Sequence, residues 1–356
     1  MNPFTYTRPT ATGDALALLA QADDGSATRC IAGGTNLIDL MKEAAMQPGR
    51  LVDINALPLA TIEALPGGGL RLGALARNAD TAYDERVQRQ YPVISAAILA
   101  GASPQIRNMA SNGGNLLQRT RCLYFYDVAV PCNKRQPGSG CPARTGLARQ
   151  HAILGASAQC IATHPSDLCV ALRALDAVVQ VRSAARGARS IAFADFHRLP
   201  GDTPERDTTL ADDELIEAID LPDASAYAAH SCYLKLRERA SYAFALVSCA
   251  ALLALGDDGR IRSARIALGG VAHKPWRVEA AEALLAGAAP DDRATLERAA
   301  RAVLEGAQAA GQGADGSNAF KLPMAQRAIV RALELAARGT PAHFGNADPI
   351  TLGDAA

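Results

Sequence analysis

Five of the eight cysteines, Cys122, Cys132, Cys141, Cys160 and Cys169, fall within one 48-residue span. Its first part, RCLYFYDVAVPCNKRQPGSGC over residues 121–141, follows neither a helical nor a strand period. Three cysteines, three aromatic residues and a Pro/Gly turn thus share a stretch that no regular element organises. Cys30, Cys232 and Cys249 instead sit singly in apolar, β-prone runs, where a free thiol behaves as a small buried hydrophobe.

The spacing Cys122-x9-Cys132-x8-Cys141-x18-Cys160 contains no C-x-x-C element and matches a zinc ribbon or finger poorly. A disulfide framework has little purpose in a 356-residue chain with an ample core. An iron-sulfur cluster held by four thiolates needs neither short spacing nor regular structure. Spacing alone leaves these readings open, but composition suits the third. Pro131, Pro137, Gly138 and Gly140 bend the backbone, Tyr124, Phe125 and Tyr126 can exclude water, and Lys134 and Arg135 would offset a cluster's negative charge.

Lys+Arg and Asp+Glu both number 36, so no net field draws in nucleic acid or an anionic membrane. No run reaches about 18 apolar residues, so no membrane insertion is expected. The start, MNPFTYTRPTATGDALALLA, lacks an apolar core followed by a small-residue cleavage site, and the expectation is that the chain carries no export signal of its own.

Hydrophobic periodicity divides the chain. Residues 14–22 read as an amphipathic helix, TRCIAGGTNLIDLMKEAA as strand, glycine turn and helix, and RLVDINAL as the next strand. A hairpin turning at Gly67 to Gly69 and a helix over YPVISAAILAGA follow. SDLCVALRALDAVVQVRS reads as a helix capped by Ser166 or Asp167 and then a β-branched strand. Residues 201–213 read as a polar loop before the strand ELIEAIDL. Beyond it, three strand-like segments with a GDDG turn suggest an antiparallel meander, and helices dominate from Pro275.

Two polar glycine turns carry the binding chemistry. Ala32-Gly33-Gly34-Thr35-Asn36-Leu37 joins a strand to a helix, where paired glycines, neutral side-chain donors and a helix N-terminus suit a pyrophosphate. Ser111-Asn112-Gly113-Gly114-Asn115 repeats that chemistry, preceded by further small or donor residues in Ala102, Ser103, Gln105 and Arg107. Neither turn matches the G-x-G-x-x-G or P-loop patterns, so a nicotinamide-binding Rossmann domain is disfavoured.

The first turn, the GGN turn at 113–115, HPSDL at 164–168 and GGVAHKPWRVEAAEALL at 269–285 together resemble the FAD-binding subunit of the xanthine oxidase family of molybdenum hydroxylases. The resemblance implies an α+β (α/β) architecture. Its FAD-binding domain, of the vanillyl-alcohol-oxidase-like (PCMH) type, would comprise subdomains at 1–56 and 57–224, the second with a Cys-rich insertion over 119–162. A C-terminal domain of three antiparallel strands and helices would span 225–339, ahead of an extended tail over 340–356. It implies FAD contacts from Ala32, Gly33, Gly34, Thr35, Asn36, Leu37, Ser111, Gly114 and Asn115, from Asp167 with neighbouring Leu168, and from Ile216 and Lys235 near the isoalloxazine.

Two branches of this family carry an insertion with a [4Fe-4S] cluster, the periplasmic aldehyde oxidoreductase type and the 4-hydroxybenzoyl-CoA reductase type. The string QRTRC…YFYD…PCNKR.PGSGC…CIATHPSD most resembles the former, which implies Cys122, Cys132, Cys141 and Cys160 as ligands and leaves Cys169 over as a buried thiol, the alternative being that Cys169 replaces Cys160. No residue is assigned a catalytic role. The implied assembly is a heterotrimer with a large molybdenum-cofactor subunit that oxidises an aldehyde and a small subunit with two [2Fe-2S] clusters. Electrons would pass from these to FAD and on to an external acceptor. A partner's signal would then carry the folded complex to the periplasm, the alternative being a cytoplasmic location. A 4-hydroxybenzoyl-CoA reductase-like subunit, a self-sufficient flavin oxidoreductase on the same fold and a zinc-stabilised scaffold are the competing readings.

Overall fold

A computed structural model describes residues 1–21 and 27–341. Three short strands, β1 (Thr5–Thr7), β2 (Thr28–Ile31) and β3 (Arg50–Asp53), form a parallel sheet in the order β1-β3-β2. The connections are helical: α1 (Thr12–Ala20) links β1 to β2, and α2 (Leu37–Lys42) links β2 to β3. Helix α1 buries Ala15, Leu16 and Leu19 in a cluster with Val52, Ile54 and Leu57. Because the sheet is parallel, the first glycine turn emerges at the carboxyl end of β2, the edge where open α/β sheets place their ligands.

The second sheet holds β4 (Ile62–Ala64), β5 (Leu70–Gly73), β6 (Val178–Ser183), β7 (Gly187–Ala192) and β8 (Glu214–Leu221) in the order β4-β5-β8-β6-β7, all neighbours antiparallel. Two tight hairpins set this direction: Gly67 and Gly68 at φ of +87° and +91° close β4-β5, and Gly187 at +71° closes β6-β7. Between β5 and β6 the chain makes a long excursion through α3 (Pro92–Ala100), α4 (Asn112–Leu116), the Cys-rich segment and α5 (Asp167–Ala174). Pro92 opens α3 where its missing N–H costs nothing. Ser166 caps α5 by accepting from the Cys169 N–H at 3.1 Å, so Asp167 is the first helical residue and not the cap.

The third sheet is the expected meander of β9 (Ser231–Leu236), β10 (Val247–Leu255) and β11 (Ile261–Gly269), with β10 central. Strand β10 reads as a continuous apolar run because both of its faces are covered. Ala250 and Leu252 join the core of the N-terminal half, while Cys249, Ala251 and Leu253 face α6 (Arg293–Val303) and α7 (Lys321–Ala337). Cys30 and Cys232 also pack against apolar clusters. From residue 342 the expected tail lies outside the described residues.

Lys321, at the start of α7, has no exposed surface. Its Nζ donates to the carbonyls of Gly270 at 2.8 Å and His151 at 3.0 Å, tying the helix to the Cys-rich segment. Burial without a counter-ion pulls its pKa down from 10.5 to about 7, with the Arg149 charge adding to the effect. Between these values the unfolded chain binds more protons than the folded one, so Lys321 makes stability rise with pH across that window. Urea denaturation at pH 7 and pH 10 should show this rise in the wild type and a smaller one in Lys321→Met.

Candidate cofactor site

A cleft of about 1300 Å³ runs along the carboxyl edge of the parallel sheet. It is larger than the roughly 300–1000 Å³ typical of small-ligand pockets and suits an extended ligand. Its lining includes Ala32, Gly33, Gly34, Thr35, Asn36 and Leu37 of the first turn, with Ser111, Gly114 and Asn115 of the second. Ala102, Arg107, Asp167, Ile216 and Lys235 complete the sequence-derived residues found there.

The two turns differ in what they offer. Among the described residues, the N–H groups of Gly33, Gly34, Thr35 and Asn36 donate to no protein acceptor. Gly34 has a φ of +71°, and a Cβ on Gly33 would collide with the carbonyl of Met109, so the first turn lies directly against the chain entering the second. Asn36 accepts from the Arg119 N–H through Oδ1 at 2.9 Å, while its buried Nδ2 has no partner. Free amides and an orphaned donor in a cleft fit a phosphate-bearing group.

In the second turn the donors are already used. Asn112 N–H binds Ala76 O, Gly113 N–H binds Ala74 O, and Gly114 N–H binds Ser111 Oγ. Asn115 Oδ1 accepts from Ser166 Oγ at 2.6 Å and Gln118 Nε2 at 2.7 Å, and its Nδ2 donates to Asn78 Oδ1 at 2.7 Å. This turn is therefore a locked scaffold that presents bare glycine backbone, not a second set of free donors.

At the seam between the halves, Asp167 accepts from Tyr233 Oη at 2.6 Å and from Lys235 Nζ at 2.7 Å. Burial, then the Asp167 carboxylate, pushes the Tyr233 hydroxyl far above its usual pKa, so it remains a donor.

Three expected contacts lie off the cleft. Ser103 spends its Oγ on capping a short turn through the Ile106 N–H, and Gln105 is exposed to solvent. Leu168 is in the core, because the helical turn that aims Asp167 at the cleft rotates its neighbour into the sheet-facing side.

Other lining residues carry no sequence signal that places them at this cleft. Arg119, Arg121, Tyr126, Lys134 and Arg135 bring the Cys-rich segment in as one wall, and residues 205–208 and 210–212 of the polar loop form another. Asp207 joins these walls, accepting from Lys134 Nζ at 2.5 Å and Arg119 Nε at 2.8 Å. The two cations hold its carboxyl far below the ordinary range despite burial. Lys134, expected to offset a cluster's charge, is thus paired with a carboxylate, and Arg135 donates to the carbonyls of Tyr124, Phe125 and Val130.

Cys122, Cys132, Cys141 and Cys160 all line one small cavity, together with Tyr124, Phe125, Asn133 and His151. All eight cysteines are free thiols. Hydrogen bonding from the Cys160 thiol, with a smaller contribution from the backbone at Ile161, Ala143 and Arg144, lowers the pKa of Cys141 and raises that of Cys160. Among the described residues, only His164, Cys169 and His197 place three ligand atoms mutually within 4.8 Å. The four thiols are therefore spread wider than the roughly 3.8 Å between sulfurs that a single tetrahedral zinc requires, and Cys169 lies apart from them in the core. A second cavity of about 410 Å³ borders Asp167 and Phe244 of the cleft and reaches Cys122 and His151, so the two regions are neighbours.

A family profile described as the FAD binding domain in molybdopterin dehydrogenase matches residues 2–224, and one described as the CO dehydrogenase flavoprotein C-terminal domain matches residues 232–336. Fold and cleft are those of an FAD-binding flavoprotein. The chain is 51% identical to the aldehyde oxidoreductase FAD-binding subunit of Escherichia coli, over 94% of its own length and 98% of that subunit's. It is 28% identical to the glyceraldehyde dehydrogenase medium chain of Sulfolobus acidocaldarius, over 77% and 78% of the two lengths. Among solved structures, carbon monoxide dehydrogenase from Hydrogenophaga pseudoflava superposes with a TM-score of 0.72 at 26% identity, covering 94% of this chain and 97% of that one. The enzyme from Oligotropha carboxidovorans gives 0.73 at 26%, covering 95% and 99%. The chain belongs to the FAD-binding subunits of the xanthine oxidase family of molybdenum hydroxylases.

The close approach at Gly33 gives a direct test. In Gly33→Ala the added methyl must displace the Met109 carbonyl, at a cost of about 1–3 kcal/mol. FAD retention after gel filtration, read by flavin absorbance, should fall about tenfold or more while the far-UV circular dichroism spectrum is unchanged.

Proposed function

We propose that this chain is the FAD- and [4Fe-4S]-bearing electron-transfer subunit of a heterotrimeric molybdenum-dependent aldehyde oxidoreductase. The observation that carries the reading is the convergence of Cys122, Cys132, Cys141 and Cys160 on one small cavity beside a flavin-sized cleft. The extensive identity to an aldehyde oxidoreductase FAD-binding subunit supports the substrate class. When bound, FAD supplies the redox chemistry that takes electrons from the [2Fe-2S] clusters of a small partner subunit and delivers them to an external acceptor.

The chain's own residues hold and insulate. The free amides of Gly33 to Asn36 bind the pyrophosphate, the glycine face of the second turn admits the cofactor's body, and the Asp167–Lys235 pair borders the ring-binding end. The four cysteines would hold the cluster, backbone hydrogen bonding at Ile161, Ala143 and Arg144 favours the Cys141 thiolate, and Tyr124 and Phe125 line the same space and would keep water out. Aldehyde oxidation belongs to the large molybdenum-cofactor subunit, and this chain contributes no substrate-transforming residue. Periplasmic location follows in this reading from co-export on a partner's signal.

A visible spectrum of the purified chain with iron and acid-labile sulfide assays tests the proposal. Flavin with about four irons per chain is expected; flavin without iron removes the cluster, and absence of both removes the reading. In Cys132→Ser iron content should drop. If FAD reduction by an aldehyde in the intact complex is then unchanged, the cluster lies off the electron route.

A further inference from the structure

His151 stands out among the residues around the thiols because its ring meets a cysteine sulfur directly: Nε2 lies 3.0 Å from Cys122 Sγ. The residue is buried, at 3% exposure, and its position is fixed from several sides. Its N–H donates to Ala148 O at 2.8 Å, and its carbonyl accepts from Lys321 Nζ at 3.0 Å and Asn318 Nδ2 at 3.1 Å. The ring also tilts against Tyr124, with centroids 6.2 Å apart.

The other ring nitrogen, Nδ1, is buried and has no partner. An orphaned N–H is costlier and rarer than an orphaned acceptor lone pair. The lone pair therefore belongs on Nδ1 and the hydrogen on Nε2, aimed at sulfur. Facing a thiolate, this becomes a charge-assisted N–H···S bond.

We infer that His151 is a potential-setting residue, whose Nε2–H donates to the Cys122 thiolate and raises the midpoint potential of the iron-sulfur cluster. The inference rests on the cluster proposed above and adds a residue that is not a ligand. The physical reason is simple. A donor on a ligand sulfur withdraws negative charge, which favours the more reduced and more negative state of the cluster. The clamp from Asn318 and Lys321 extends this control into the C-terminal half, because the carbonyl they hold belongs to the residue whose ring makes the bond.

Redox titration of the full complex, followed by EPR of the reduced cluster, compares wild type with His151→Leu and His151→Gln. The leucine variant should shift the cluster midpoint to more negative potential. Glutamine, which retains a donor amide, should stay near wild type, and the flavin midpoint should be the same in all three. An iron-replete leucine variant with an unshifted midpoint overturns the inference. If that variant does not assemble a cluster, pulsed EPR of complex labelled with 15N-histidine decides: a nitrogen coupling present in wild type and lost in His151→Gln supports the bond, and its absence from wild type overturns it. A wild-type chain without iron sinks the cluster reading, whereas iron-replete wild type with no histidine effect sinks this inference alone.

Discussion

Asp207 is the point on which the cofactor region depends. It lies in a loop with no regular structure, yet it accepts from Lys134 in the Cys-rich segment and from Arg119 at the start of that segment. The backbone N–H of Arg119 then meets Asn36 in the first glycine turn. One carboxylate thus links three stretches far apart in sequence. Lys134 is almost fully buried, so removal of its partner would leave a desolvated charge, the condition under which a buried pair is most costly to break. Neither a sheet ladder nor a helix could substitute, since the walls it joins are both loops.

A second polar seam complements the first. Asp167, Tyr233 and Lys235 join α5 to β9 within hydrogen-bond distance, and β10 packs apolar residues on both of its faces. Hydrophobic burial supplies the adhesion between the halves, but it is non-directional. The Asp167 cluster adds direction, fixing where β9 meets the helix that borders the cleft. The molecule therefore uses apolar surface to hold its layers together and a few buried polar links to set their register.

Much of this was legible in the chain itself, for identifiable reasons. Period-2 and helical patterns expose β4-β5, α3 and the meander β9-β10-β11 because each is a local element with its own turn residues. The glycine turns announce the cleft because close backbone approach requires glycine whatever the partner. The strand order of the second sheet was not legible, since β5 pairs with β8 across 149 residues between Arg71 and Asp220. Nor was Asp207, whose role comes only from what folds against it. Ser111 to Asn115 shows the opposite difficulty: residues of the right type are present, but their donors are satisfied internally, and composition does not reveal which polar groups remain free. The same holds for Leu168, a neighbour of the cleft-lining Asp167 that helical rotation sends into the core.

The Cys-rich segment is a wall of the cleft, contributing Arg119, Arg121, Tyr126, Lys134 and Arg135 to it. An appendage can be trimmed at its base, but a wall cannot. Splicing the segment out would unseat the amide that pairs with Asn36 and strand the carboxylate of Asp207. A relative without the segment must therefore complete its cleft with different side chains. For anyone transplanting parts between flavoproteins of this family, the graftable unit is the segment together with residues 204–208 and the first glycine turn, because direct hydrogen bonds join those three pieces.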